Sequence, residues 1–302
     1  MLVEKKSIRS WVKMSRHEGH SATIMSVSYD SISTVRFRQV QQTMKYSSKD
    51  SILALISITQ LFIIFIVFFY PLSSLQILAA ALATTLLIGT NYQCISHNFI
   101  HTPFFKSNNL NNAFSILNSL CLGLPQSVYR EHHMNHHRFN NDPLKDDSSL
   151  YKFGNAGKEE GVLSYCLIGV FRTDLKSLFL RARKTSGKLV LFELVAVLIF
   201  FLLLLKTSPT LFVVFYISTW YFGQVFALLE NYAEHHGAKL HDRQRDSVSC
   251  YNHIYNLIWF NNGFHQEHHF RPMVHWTEIR KVKDELPSDR KTTKYFHLSN
   301  LG

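Results

Sequence analysis

Four of the six residues from His132 to His137 are histidine, within the stretch YREHHMNHHRFNNDP. Neutral imidazole is the commonest metal ligand near neutral pH, so rings gathered this densely suggest a metal site. Three further stretches repeat the theme. SHNFIH places His97 and His101 at i, i+4, on one face of a helix. His133, His136 and His137 form HxxHH, and FHQEHHF repeats that pattern with His265, His268 and His269. ENYAEHHGA sets Asn231 and His235 at i, i+4. On a helix, HxxHH is expected to aim three rings at one point. Nine such rings exceed the three or four ligands that one zinc takes from protein. They fit two metals of coordination number five or six, with Asn231 able to hold a water. Histidine-rich open sites suit iron, among other metals. His132 and His236 are extra rings beside the clusters, and His17, His20 and His297 stand apart from them.

These residues need elements to position them, and the apolar runs supply those elements. The chain has 302 residues, and no Asp, Glu, Lys or Arg occurs from Ser51 to Ser96. A bilayer-spanning helix needs roughly 20 mostly apolar residues. SILALISITQLFIIFIVFFY is one such run, and LSSLQILAAALATTLLIGTNYQ follows Pro71 as a second. LVLFELVAVLIFFLLLL and LFVVFYISTWYFGQVFALL form a later pair. The expected fold is all-α and integral to the membrane: four transmembrane helices in two hairpins, near 51–96 and 189–229. The boxes, in 97–137 and 231–269, would form a histidine-rich helical cap. Residues 1–50 read as a basic tail without the apolar core of a leader, and 51–302 as the membrane domain. Glu193, about a turn inside the third span, reads as an acid that snorkels to the surface or as a functional polar residue, with snorkelling slightly favoured.

Charge orients this arrangement. Net charge is +11, yet the first inter-helix turn has no Lys or Arg and the last has only Lys206. The positive-inside rule then makes both termini and every box cytoplasmic. Nucleic-acid binding is not supported, because the basic residues form no stripe and no recognition motif accompanies them. The four cysteines show no CxxC and read as free thiols. An intramembrane zinc protease would need HExxH, and HEGH at His17–His20 is one residue short. A metal transporter would place ligands at bilayer mid-depth, whereas these lie at and beyond helix ends.

At the boxes the chain resembles the membrane fatty-acid desaturase superfamily, over roughly Ser51 to Trp276. The hallmark HxxxH, HxxHH and late HxxHH correspond to His97–His101, His133–His137 and His265–His269. HHRFNNDP looks like the run after the second box in many members. NNGFHQEHHFRPMVHW looks like the third-box region of bacterial desaturases and carotenoid ketolases. In acyl-CoA desaturases an NxxxH supplies a ninth histidine and a water-holding asparagine, the pattern of Asn231 and His235. NYAEHHG resembles alkane hydroxylases, whose EHxxxHH box would take His132 in place of His133; the YRxxHxxHH lead-in favours His133. His132 and His236 are then alternates, or residues that orient the ligands.

The resemblance implies two irons, O2 as co-substrate, and desaturation of a fatty-acyl or other lipid chain. A lipid or alkane hydroxylase, or a carotenoid-type oxygenase, is the alternative on the same ligands. No haem or iron–sulfur set is visible in the chain, so an external donor is expected: ferredoxin, rubredoxin, or a cytochrome with its reductase. Phe99, Phe104, Phe105, Tyr129, Phe264, Phe270 and Trp276 flank the boxes and could line a lipid tunnel, although with 24 Phe in the chain most are read as lipid-facing or core.

Overall fold

The computed structural model describes residues 43–155, 157–240, 242–289 and 292. Most of the basic N-terminal segment, including His17 and His20, lies outside them, as does His297. In chain order the helices are α1 (Asp50–Phe69), α2 (Ser74–His101), α3 (Asn108–Leu122), α4 (Gln126–Phe139), α5 (Val162–Gly169), α6 (Leu175–Thr185), α7 (Leu189–Thr207), α8 (Pro209–His235), α9 (His253–Ile258) and α10 (His265–Phe270). A short 3-10 turn follows at Ile279–Glu285. No strand occurs among the described residues.

Helices α1, α2, α7 and α8 are each long and apolar enough to cross a membrane. With 20 and 19 residues, α1 and α7 are roughly 30 Å long, the thickness of a bilayer's hydrocarbon core. With 28 and 27 residues, α2 and α8 reach roughly 40 Å. The surplus falls at the ends that carry His97, His101 and His235. Local chemistry sets these bounds. Pro71 follows the end of α1, and Ser73 starts α2 with a reciprocal cap to Gln76. Gly123 ends α3 in the left-handed conformation, at φ +68°, and a Cβ there would lie 2.5 Å from Nε1 of Trp220. Helices α2 and α8 meet closely because Gly223 has no side chain; a Cβ would stand 2.5 Å from Ile88.

A buried polar belt runs through the helices. Asn91 donates to Ser57 Oγ (3.2 Å) and Asn118 Oδ1 (3.0 Å), while Asn118 donates to Ser96 Oγ (2.7 Å) and Gln126 Oε1 (2.9 Å). These bonds tie α1, α2, α3 and the start of α4 together where no water competes. Glu193 continues the belt and departs from the snorkelling expectation. It is fully buried, and its carboxylate accepts from Ser115 Oγ at 2.6 Å and Ser127 N–H at 3.0 Å. Ser127 lies in the first turn of α4, whose unpaired N–H groups and positive dipole end attract an anion. The acid stays inside because α4 supplies donors that the surface would otherwise provide.

Glu193 therefore fixes the helix that carries the second box. Glu193→Leu should lower the thermal midpoint, since each buried donor left unpaired costs about 1–3 kcal/mol. Glu193→Gln, which keeps one acceptor oxygen, should lose less. Equal midpoints for Glu193→Leu and the natural protein would remove the capping role.

Candidate metal centre

Two of the candidate spans and two shorter helices deliver the histidines from four directions. Residues Asn91–Ser96 of α2 are π-helical, a widened turn often found near functional sites, and they lead directly into His97. His97 and His101 close α2, His133, His136 and His137 lie on α4, His235 ends α8, and His265, His268 and His269 lie on α10. All nine are buried. They converge as two groups that could each hold a metal ion: His97, His101, His133, His137 and His268, and then His136, His235, His265 and His269. Within each group the ligand atoms all lie within 4.8 Å of one another.

The expectation that HxxHH aims three rings at one point is corrected here. Each box divides. His133 and His137, at i and i+4, join one group, and His136 joins the other. His265 and His269 pair in the same way, while His268 crosses over. At 100° per residue, i and i+4 lie about 40° apart, whereas i+3 falls about 60° to the other side of i. One HxxHH helix therefore serves two neighbouring sites.

The donor set suits cations. Ring nitrogens face one another at 2.6 Å (His97 and His268), 2.7 Å (His101 and His133), 3.0 Å (His268 and His137; His136 and His235) and 3.1 Å (His265 and His235). Nε2 of His269 is buried without a hydrogen-bond partner. Burial, then neighbouring rings, push the pKa values of His133, His137, His265, His268 and His269 well below the ordinary imidazole value. The neutral form that results is the form that ligates.

Outer residues orient the rings. Asp146, fully buried, accepts from Nδ1 of His136 at 2.8 Å and leaves Nε2 facing the second group. Burial works against charge on this pair, but their mutual attraction prevails: it raises the His136 pKa and holds the Asp146 carboxyl below its usual range. Nδ1 of His235 donates to the Asp246 carbonyl at 3.2 Å. Nδ1 of His269 donates to Asn140 Oδ1 at 2.8 Å, and Asn140 in turn donates to the Asp246 carboxylate. Nδ1 of His265 stands 3.5 Å from Glu234, too far for a strong direct bond. Asn140 and Asn141 both take left-handed backbone, with φ 47° and 66°, a conformation asparagine adopts more readily than most residues. This turn brings Asp146 back under α4, with Asn141 N–H donating to it at 2.6 Å. The NND run thus has a physical reason, and Asp146, which the spacing of histidines could not reveal, follows closely behind it.

The remaining sequence candidates lie outside the two groups. His132 is on a cavity wall, with Nε2 3.4 Å from Ser148 Oγ. His236 is half-exposed and paired with Glu159 at 2.5 Å. Asn231 lines the same cavity as His132, and its amide donates to Tyr165 Oη at 2.7 Å.

That cavity, of about 370 Å³, touches His97, His133, His136 and His265 and extends past Tyr92, Val128 and Leu228 to Phe201 and Trp220 within the spans. Of the seven aromatics that could line a tunnel, Tyr129 lines it and the other six do not. Phe99 and Phe104 pack with Phe114, and Phe264 packs with Ile279 and Val282. Phe105 and Trp276 pack against the first of these clusters, and Phe270 against the second. The box helices turn their histidines toward the clusters, so flanking positions point away into the core. The wall comes instead from α2, α4, α7, α8 and the segment around α5.

This arrangement has relatives. Residues 71–298 match the fatty acid desaturase family. The chain is 25% identical over 226 residues to the sphingolipid delta(4)-desaturase of Komagataella phaffii. The match covers 69% of this chain, and it spans 61% of the length of that relative. With most of its length matched and its histidine boxes gathered into two buried clusters, the chain belongs to the fatty acid desaturase family.

Proposed function

We propose that the protein is a membrane di-iron oxidoreductase that uses O2 and electrons from an external donor to introduce a double bond into a lipid chain. The supporting observation is the pair of buried all-histidine clusters that opens onto an apolar cavity reaching into the spans. The nine histidines would hold the two irons, and Asn231, on the cavity wall, would hold a water. The irons would supply oxygen activation and hydrogen removal from an unactivated C–H bond. The protein's own tasks are positional. Asp146 keeps a proton on His136 Nδ1, and Asn140 does the same for His269 Nδ1. The cavity wall of Tyr92, Tyr129, Phe201 and Trp220 seats a chain beside the rings and excludes water.

A sphingolipid is the first substrate to test, because the Komagataella relative is named as a sphingolipid desaturase. The chain should be expressed in a host of known lipid content and total lipid measured by mass spectrometry. A new double bond supports the proposal. A hydroxylated lipid without any alkene would replace it with the hydroxylase reading.

The proposed topology puts both termini and all boxes in the cytoplasm, with α1–α2 and α7–α8 as hairpins, because the first inter-helix turn has no Lys or Arg and the last has only Lys206. A reporter cysteine at Ser73 or Thr207 should react with an impermeant reagent from outside the cell. One at Ser107 or Lys239 should not. Labelling of Lys239→Cys from outside would overturn this topology. The electron donor, a ferredoxin, rubredoxin or cytochrome with its reductase, would then dock on the cytoplasmic face.

A further inference from the structure

A second cavity, of about 730 Å³, lies at the end of α2, along the first half of α3 and at the starts of α4 and α7. It shares no lining residue with the cavity at the metal centre. Helix α4 separates them: Gln126, Ser127 and Arg130 face this groove, while Tyr129, His132, His133 and His136 face the metal cavity. We propose that the groove binds one anionic glycerophospholipid from the surrounding leaflet, as a structural ligand separate from the substrate.

Three observations lead to this ligand. The first is depth. Phe99 and Ile100 belong to the last turn of α2, and Leu189 and Phe192 to the first turn of α7. Both helices are candidate spans, so the groove lies at the boundary between hydrocarbon and water. The second is chemistry divided by level. Ile116, Leu189 and Phe192 give an apolar wall, and Phe192 is 59% exposed. Asn108, Asn112 and Ser186 give a polar rim. A molecule with a polar head and acyl chains matches that division, and a soluble ion does not use the apolar wall. The third is charge. Arg130 and Lys188 both line the rim. Arg130 is 44% exposed and meets Glu131 only at 3.4 Å, a wet contact of little strength. Lys188 is exposed and forms no ion pair among the described residues. Two cations at this level favour a phosphodiester that carries a net negative charge over a zwitterionic head.

The lipid would also brace the second box. The groove's inner wall includes Ser115 and Ser127, the two residues that donate to Glu193. A headgroup seated over the first turn of α4 would lock that turn on its water-facing side, opposite the Glu193 cap. It would do so whichever reaction the metal cavity performs.

The test uses the full chain purified in neutral detergent, with retained lipid counted by native mass spectrometry. Dioleoylphosphatidylglycerol, dioleoylphosphatidylcholine and sn-glycerol 3-phosphate are added separately. The natural protein should retain one phosphatidylglycerol and show a raised thermal midpoint. Arg130→Gln/Lys188→Gln should bind it about 30-fold more weakly, from the typical contribution of two interfacial cations. Asn112→Trp fills the groove, leaves both charges in place, and should lose the lipid as well. Iron content equal to the natural protein's shows that each variant is folded. Equal retention of phosphatidylcholine, or unchanged phosphatidylglycerol binding in both variants, would overturn the proposal. The full thermal shift from glycerol 3-phosphate alone would overturn it too, by making the groove a soluble-anion site.

Discussion

His268→Ala should abolish turnover and lower bound iron from about two per chain toward one. His268 belongs to the five-nitrogen group, with Nε2 2.6 Å from that of His97 and 3.0 Å from that of His137. Removing it leaves four nitrogens and a void where the fifth stood. Changing a residue that merely orients a ligand typically costs about 10–100-fold in affinity or activity, so loss of a ligand should cost at least about 100-fold. The second group shares no ring with the first, so its iron should be retained better. His133→Ala should behave like His268→Ala. His132→Ala should keep both irons, because His132 lies on the cavity wall beside Ser148. Metal analysis of the three purified variants checks this. Loss of iron in His132→Ala with retention in His133→Ala would make the second box hydroxylase-like. Retention of iron and activity in both His133→Ala and His268→Ala would end the di-iron proposal.

How much of this was legible in the sequence depended on whether the signal was local. The four spans were legible because apolar length is a one-dimensional property. The nine histidines were legible because each has a box partner within four residues. Their division between two groups was less so. The i, i+3, i+4 spacing fixes angles about one helix axis, but which ring turns to which site depends on where the other three helices stand. Glu193 was misread for a related reason. An acid near a span end has two outcomes, and only the N–H of Ser127, 66 residues away in sequence, selects burial. The cavity wall was not legible because proximity to a box in sequence does not give proximity to the substrate. Phe99 is two residues from His97 and packs in the core; Trp220 is far from every box and lines the cavity. Asp146 and Asp246 were not singled out, since single acids in polar loops carry no spacing signature.

Asp146 is the outer residue with the most to lose, and Asp146→Asn should lower both iron affinity and rate by about 10–100-fold. Its Oδ2 accepts from His136 Nδ1 at 2.8 Å and from Asn141 N–H at 2.6 Å, and its Oδ1 accepts from Ser148 N–H at 2.8 Å. An asparagine of the same shape has one acceptor oxygen and one donor nitrogen. In either orientation its NH2 meets a donor, so at least one buried bond is lost, at a cost of about 1–3 kcal/mol in stability. The effect on the metal follows from the proton. The carboxylate's charge favours the tautomer with hydrogen on Nδ1, and that tautomer presents the Nε2 lone pair to the second group. Without the charge the other tautomer gains population and turns an N–H toward the site. The defect should be confined to the group of His136, His235, His265 and His269, so iron spectroscopy should show one altered ion and one nearly unchanged. Asp242→Asn, which changes only surface contacts with Arg245 and the Gln244 N–H, serves as control and should match the natural protein. If Asp146→Asn kept the natural iron content, rate and spectrum, His136 would be oriented by packing alone.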